Sequence, residues 1–282
     1  MCANSVLITG GTGTLGNALA RHILNYDLSD RICIYSRGEH AQAEMRERFN
    51  NDPRLRWFIG DVRDASRLRR AMNGVDLVIH AAALKRIEVG FYNPLEMVKT
   101  NVDGTANVIE ASQDAGVSKV VFVSSDKAYQ PVSAYGFSKA LGEALILAAN
   151  NTTGDTTRFA AVRYGNVWGS NGSVVPKWRN MVATGAKEVP VTDPDCTRFF
   201  MRIDQAVNLV LETAQSMMGG ELAIPDLPAY RMGDLAQAFG VGPRVVGLPP
   251  WEKRHEGMSA DKTSDKARRM SVDELQALLK AA

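Results

Sequence analysis

Short apolar runs alternate with longer amphipathic stretches through the first half of the chain. The apolar runs are Ser5-Thr9, Arg31-Tyr35, Leu55-Ile59, Leu77-His80 and Lys119-Val123. Between them, helical spacing marks Leu15-Leu24, Ala41-Phe49, Ser66-Ala71 and Leu95-Ala115. Continuous apolar strands alternating with amphipathic helices predict a parallel sheet covered on both faces. Asn93-Pro94 reads as a helix start, with Asn93 as cap and Pro94 as first helical residue.

Ala160-Arg163 and Glu221-Ile224 are predicted as further strands. After Tyr164 glycine, proline and asparagine become denser, as in Gly169-Ser170-Asn171-Gly172, Val189-Pro190 and Leu248-Pro249-Pro250. That punctuation predicts a smaller lobe of short elements and loops, in which Ile203-Glu212, Met232-Phe239 and Val272-Leu279 still read as helices. The expected division is a nucleotide-binding domain over 1–164, with returning segments from the second half, and a mainly substrate-binding lobe over 165–282.

At 282 residues the chain can bury a full core, and its net charge of +2 gives no strong pull toward nucleic acid or a membrane. Basic runs such as Arg67-Arg70 and Lys266-Arg269 lie among acidic residues and read as solvated faces. No apolar stretch approaches a bilayer's thickness, and no leader-like segment opens the chain. Cys2, Cys33 and Cys196 are too scattered for a disulfide framework, and with His22, His40, His80 and His255 they form no zinc spacing. A cytoplasmic location without a metal is expected.

Gly10-Gly11-Thr12-Gly13-Thr14-Leu15-Gly16 follows the first strand directly and opens the first helix. Glycines at 10, 13 and 16 suit a tight turn, close approach of a pyrophosphate, and close packing of helix on strand. This is the Rossmann context for a dinucleotide whose phosphates rest on a helix N-terminus. The second strand ends at Ser36-Arg37, where NAD enzymes often carry an acid for the ribose hydroxyls; serine and guanidinium suit a 2′-phosphate, so NADP is favoured. Asp61-Val62 is placed to meet the adenine, and Ala81-Ala82-Ala83 is small enough to let the cofactor lie close.

Tyr135-Gly136-Phe137-Ser138-Lys139 sets a tyrosine and a lysine four residues apart, on one helical face. The ammonium and a cationic nicotinamide are expected to lower the phenol's pKa so that Tyr135 serves as a base. Ser124-Ser125 at a strand end completes the constellation.

These two motifs resemble those of the extended short-chain dehydrogenase/reductases. Several stretches are similar to the inverting UDP-N-acetylglucosamine 4,6-dehydratases of the polysaccharide biosynthesis protein family. They are Ala82-Ala83-Leu84-Lys85, Tyr92-Asn93-Pro94-Leu95-Glu96, Lys99-Thr100-Asn101, Ser125-Asp126-Lys127-Ala128, Arg163-Tyr164-Gly165-Asn166-Val167, Gly172-Ser173-Val174-Val175-Pro176, Thr197-Arg198-Phe199 and His255-Glu256. They are in order and cover nearly the whole chain. Gly38, where an acid is common, and Asn171, where arginine is common, depart from the pattern.

The resemblance implies catalysis by Asp126, Lys127, Tyr135, Lys139 and Ser125, with tightly bound NADP and a UDP-sugar. A 4-epimerase needs only a base and hydride return, and tends to carry small hydroxyl residues at positions 126 and 127. A dehydratase must also lift the carbon 5 proton and help the carbon 6 hydroxyl leave, which implies Lys127 as base and Asp126 as acid if the site tunes their pKa values past one another. Lys85 and Asn101 are implied near the sugar. Asn166, Ser173, Val174 and Arg198 are implied at uridine and diphosphate, and Glu256 at the uridine ribose hydroxyls. Relatives assemble as dimers or hexamers, so a homo-oligomer is expected. The alternatives are a UDP-hexose 4-epimerase and a non-catalytic NADP sensor, which would need neither Tyr135, Lys139 nor Lys127.

Overall fold

The computed structural model describes residues 3–281 apart from positions 155 and 171, so Cys2 and Asn171 lie outside the described residues. Strands β1 (Ser5–Thr9), β2 (Arg31–Ser36), β3 (Leu55–Ile59), β4 (Leu77–His80), β5 (Lys119–Val123) and β6 (Arg158–Val162) form one sheet. The second half adds β7 (Asn166–Val167), β8 (Glu188–Val191), β9 (Thr197–Met201), β10 (Leu222–Ala223), β11 (Ala229–Arg231) and β12 (Gly242–Val245). The helices are α1 (Thr14–Asn25), α2 (Glu39–Arg48), α3 (Ala65–Ala71), α4 (Ile87–Tyr92), α5 (Pro94–Val98) and α6 (Gly104–Asp114), then α7 (Ala134–Ala149), α8 (Val174–Ala183), α9 (Ile203–Ser216), α10 (Met232–Ala238) and α11 (Val272–Ala281).

The main sheet runs β10-β6-β5-β4-β1-β2-β3, and every pair is parallel. Its order reverses between β1 and β4, the switch point at which a doubly wound sheet opens a crevice beyond its strand ends. Val6 and Ile8 meet Leu19, Ile23, Val207 and Val210 on one face, while Leu7 meets Leu68, Val108 and Ile146 on the other. Burial on both faces explains why these strands read as unbroken apolar runs. The chain returns α9 and β10 to this sheet from the second half. A separate core joins Val175, Trp178, Val191, Phe200, Leu235 and Leu275, around two small sheets ordered β11-β9-β7 and β12-β8.

Three expectations change. The helix read over Leu95-Ala115 is split by a π-helical segment, Lys99–Asp103, whose extra residue per turn periodicity does not reveal. Asn93 precedes Pro94 at a helix start, but it makes no side-chain cap; its Nδ2 donates back to the Val89 carbonyl at 3.1 Å. The strand read over Glu221-Ile224 shrinks to Leu222–Ala223, because only those residues pair with β6.

Candidate active site

The glycine turn is built as its spacing demands. Gly10 has φ of +66°, and a Cβ there would lie 2.9 Å from the Ala82 backbone. A Cβ on Gly16 would run into the Gly11 backbone, so its absence lets α1 settle against the turn. Gly13 caps α1 without a side-chain hydrogen bond, and Asn17 Nδ2 pins the turn by donating to the carbonyls of Thr12 (2.8 Å) and Gly13 (3.0 Å). Thr12, Thr14 and Leu15 line the same cleft. This cradle of small residues at a helix N-terminus fits a dinucleotide pyrophosphate.

At the end of β2, Ser36 is buried and its Oγ accepts from Gln42 Nε2 at 3.0 Å. Arg37 is half exposed, and its guanidinium stands 3.8 Å from the Asp61 carboxylate. Although no acid neighbours Arg37 in sequence, the end of β3 supplies one. Asp61 also pairs with Arg63 at 2.7 Å. Burial pushes the Asp61 carboxyl up, but hydrogen bonds from Arg63 outweigh it and hold the group below its ordinary value. Val62, Ala81 and Ala82 line the cleft beside it.

The catalytic candidates converge where β5 ends. Ser133 Oγ accepts from the Gly136 amide at 3.1 Å and starts α7, which carries Tyr135 and Lys139. Ser125 Oγ accepts from the Lys127 amide at 3.3 Å and caps the 3-10 turn Asp126–Ala128. Lys139 is buried; its Nζ donates to the Val123 carbonyl at 2.6 Å and lies 3.9 Å from the Phe122 ring centroid. Burial pulls this ammonium down to about 7, against the opposing charge of Glu143. Burial also raises the Tyr135 phenol, opposed by a hydrogen bond with Ser125 and by the charge of Lys127. Lys127 is thus a cation that acts on the phenol here, and the phenol's net shift is upward.

Lys127 Nζ lies 3.0 Å from the Asp126 carboxylate, 3.1 Å from Asn166 Oδ1 and 3.4 Å from Glu256 Oε1. Burial raises Asp126 despite its lysine partner. Burial would lower Lys127, but the two carboxylates overcome it and hold the ammonium above its ordinary value. The Asp126 carboxyl is thus shifted toward its neutral form, and the Lys127 ammonium toward its charged form.

Lys85 lines the cleft, and burial lowers its ammonium. Ser173 caps α8 in position and Val174 begins it, both facing the cleft; the buried Ser173 Oγ has no hydrogen-bond partner among the described residues. Arg198 is buried on β9, donating to the carbonyls of Thr197 (2.7 Å) and Arg254 (3.1 Å) and pairing with Glu252. Asn101, expected at the sugar, is withdrawn from the cleft. Its amide is consumed by the Leu84 backbone at 2.8 and 2.9 Å and by Ser138 Oγ at 2.9 Å. Glu256, expected at the ribose, is packed against Lys127 and Lys253.

The sequence reading missed Trp251, Glu252 and Lys253. Only Arg254 separates them from His255-Glu256, and Trp251 packs at a tilt on Phe91 with ring centroids 4.6 Å apart. The complete cleft encloses about 1200 Å³. That exceeds the ~300–1,000 Å³ of an ordinary ligand pocket and leaves room for a dinucleotide and a second ligand together.

The chain belongs to the polysaccharide biosynthesis protein family, whose description matches residues 6–275. It is 46% identical over 257 residues to a UDP-N-acetylglucosamine 4,6-dehydratase (inverting) of Campylobacter jejuni, a match covering 90% of this chain and 77% of that protein. A UDP-glucose 4-epimerase of Rickettsia canadensis is 39% identical over 273 residues, covering 93% of this chain and 80% of its own. The solved structure of Pen from Bacillus thuringiensis superposes with a TM-score of 0.93 at 34% identity, covering 99% of this chain and 98% of that one. Among the described residues no helix is long and apolar enough to cross a membrane.

Proposed function

We propose that this chain is an NADP-dependent 4,6-dehydratase of UDP-N-acetylglucosamine that inverts carbon 5. The observation that carries this reading is the buried Asp126-Lys127 contact at 3.0 Å, facing the same cleft as Tyr135. A 4-epimerase has no use for a second acid–base pair, so the pair favours elimination over the related epimerase activity.

A nicotinamide bound in the cleft would supply the hydride chemistry, as acceptor for carbon 4 and donor to carbon 6. Tyr135 takes the proton of the 4-hydroxyl, and Lys139, fixed beneath it by Val123, supports the cofactor ribose. The carbon 4 ketone then acidifies the carbon 5 hydrogen, which Lys127 removes while Asp126 protonates the departing 6-hydroxyl. One water leaves, and as carbon 6 is reduced carbon 5 takes a proton from Tyr135 or a water beside it, giving a 4-keto-6-deoxy sugar. Arg37 holds the 2′-phosphate, and the Gly10-Gly16 turn holds the pyrophosphate. Ser173 and Val174 at the start of α8, with Arg198 and Asn166, face the UDP moiety, and Lys85 faces the sugar. The exposed apolar side chains of Phe91, Tyr92, Leu95, Phe137 and Leu141 support self-association of the chain.

The test is incubation with UDP-N-acetylglucosamine followed by mass spectrometry. Loss of one water supports the reading, an isomer of unchanged mass supports epimerisation, and unaltered substrate leaves only cofactor binding.

A further inference from the structure

Elimination needs an acid and a base at once, and an Asp126 carboxylate facing a Lys127 ammonium offers neither. One proton moved from Lys127 Nζ to Asp126, across the 3.0 Å contact, creates both without exchange with water. The pair must therefore carry a single proton: with two there is no base, and with none there is no acid. Its working range is a bell bounded by two macroscopic titrations that belong to the pair.

The groups facing Lys127 come from every side of the cleft. Asp126 lies on its own turn, Asn166 on β7, Arg198 on β9, Tyr135 on α7 and Tyr230 on β11. Glu256 comes from the segment after β12, at 3.4 Å. Its other oxygen lies 3.0 Å from Lys253, whose Nζ also donates to the Tyr129 carbonyl at 2.9 Å. The carboxylate is only 3% exposed. Its backbone is clamped both ways to Ser264, with Glu256 N–H donating to Ser264 Oγ and Ser264 N–H to the Glu256 carbonyl, each at 2.8 Å. Ser264 Oγ is tied in turn to Thr197 Oγ1 at 2.6 Å. A carboxylate sealed and clamped in this way, with both oxygens against ammonium groups, acts on its neighbours.

We infer that Glu256 is a positioning residue of the acid–base pair, holding the Lys127 ammonium from the C-terminal segment and fixing the pH window in which Asp126 and Lys127 share one proton. This inference rests on the dehydratase reading for its catalytic meaning, but the titration of Lys127 tests it separately. A negative charge beside the pair raises both limbs of the bell, and a positive charge behind Glu256 lowers them. The two neighbours therefore act with opposite sign.

The experiment compares wild type with Glu256→Gln, Glu256→Asp and Lys253→Met. Rates are measured against pH with UDP-N-acetylglucosamine deuterated at carbon 5, so that the isotope effect reports proton abstraction. Lys127 is titrated in parallel by NMR of side-chain-labelled lysine. Glu256→Gln is expected to move both limbs and the Lys127 titration to lower pH by about 1–3 units, the range for a charge at this distance. Lys253→Met is expected to move them upward, and Glu256→Asp to keep them near wild type. Lower rates with unmoved limbs and titration, or shifts of the same sign in Glu256→Gln and Lys253→Met, overturn the inference. If wild type releases no water the dehydratase reading fails, and the Lys127 titration alone then decides whether Glu256 governs the pair.

Discussion

A Cβ on Gly136 would stand 2.5 Å from the carbonyl oxygen of Lys127. The glycine between Tyr135 and the rest of α7 is thus what lets the helix seat against the 3-10 turn, bringing the phenol and the second acid–base pair into one cleft. Gly136→Ala must push α7 and the turn apart. Because misplacement of about 1 Å can cost ~10²-fold in rate, this variant is expected to lose about that much turnover. Cofactor affinity should fall less than turnover, since Lys139 rides on the displaced helix whereas the glycine turn at Gly10-Gly16 takes no part in the contact. Steady-state kinetics and cofactor titration separate the two effects; unchanged turnover would refute the close-packing argument.

Arg37 is expected to set the preference for NADP. Arg37→Ala removes one charge-assisted contact and should weaken NADP binding by ~1.5–3 kcal/mol while NAD binding hardly moves. Arg63 is the internal comparison, because its guanidinium is already engaged by Asp61 and Glu96, each at 2.7 Å. Arg63→Ala should therefore cost less. Calorimetric titration of both cofactors at fixed ionic strength checks this, and equal losses of NAD and NADP would place Arg37 outside the phosphate site.

The parts of the fold that follow from chain-local rules were readable. Val6, Leu7 and Ile8 alternate between two buried faces, so the run announces a central parallel strand without any tertiary information. The Gly10, Gly13 and Gly16 pattern is equally local. What the sequence hid depends on contacts between distant segments. Asn101 lies in a π-helical turn and spends its amide on Leu84 and Ser138, which no periodicity predicts. Asp61 meets Arg37 only because β2 and β3 end side by side. Glu256 reaches Lys127 across 129 positions of chain, through a loop whose course is set by Ser264 and Thr197.

Arg198 has more to do with stability than its expected role at the diphosphate implied. It is buried and ties β9 to Glu252 and the Arg254 carbonyl. Removing one member of a buried pair typically costs ~3–5 kcal/mol, so Arg198→Ala should lower the thermal midpoint clearly even without substrate. Arg198→Ala should also raise the Michaelis constant, and Arg198→Lys, which keeps the charge but loses the fork, should recover part of the stability while that constant stays raised. An Arg198→Ala protein as stable as wild type would assign the residue to the ligand alone.

His80 should make the protein sensitive to acid. Its ring lies buried between Thr9 Oγ1 at 2.7 Å and Thr105 Oγ1 at 3.1 Å, and burial lowers its pKa to about 3. A histidine kept neutral in the fold contributes stability that is present above its unfolded value near 6.5 and is lost as pH falls below it. Between pH ~6.5 and ~5, before carboxylates dominate, the loss should approach ~1.4 kcal/mol per unit. Denaturant midpoints across that window test this against His80→Gln, which should show a flatter dependence; parallel curves would exclude His80 as the cause.

Lys127 is expected to be the base that removes the carbon 5 hydrogen, and the reaction to invert that carbon. The lysine is held within hydrogen-bonding reach of Asp126 and Asn166, so abstraction from one ring face and protonation of the leaving hydroxyl can be concerted. Tyr135, or a water beside it, is then the natural donor from the other face, which converts the D-sugar to its L-configured keto product. Loss of a positioned acid or base usually costs ~10²–10⁴-fold, so Lys127→Ala should nearly abolish dehydration. NADP binding should survive, because Lys139 and the glycine turn are untouched. The wild-type reaction in deuterium oxide gives the stereochemical answer by NMR, with deuterium at carbon 5 and L-arabino couplings as the expected result. Retained D-xylo couplings would overturn the inverting assignment while leaving dehydration intact, and absence of deuterium at carbon 5 would show that the removed proton is returned without exchange and would count against a donor on the opposite face.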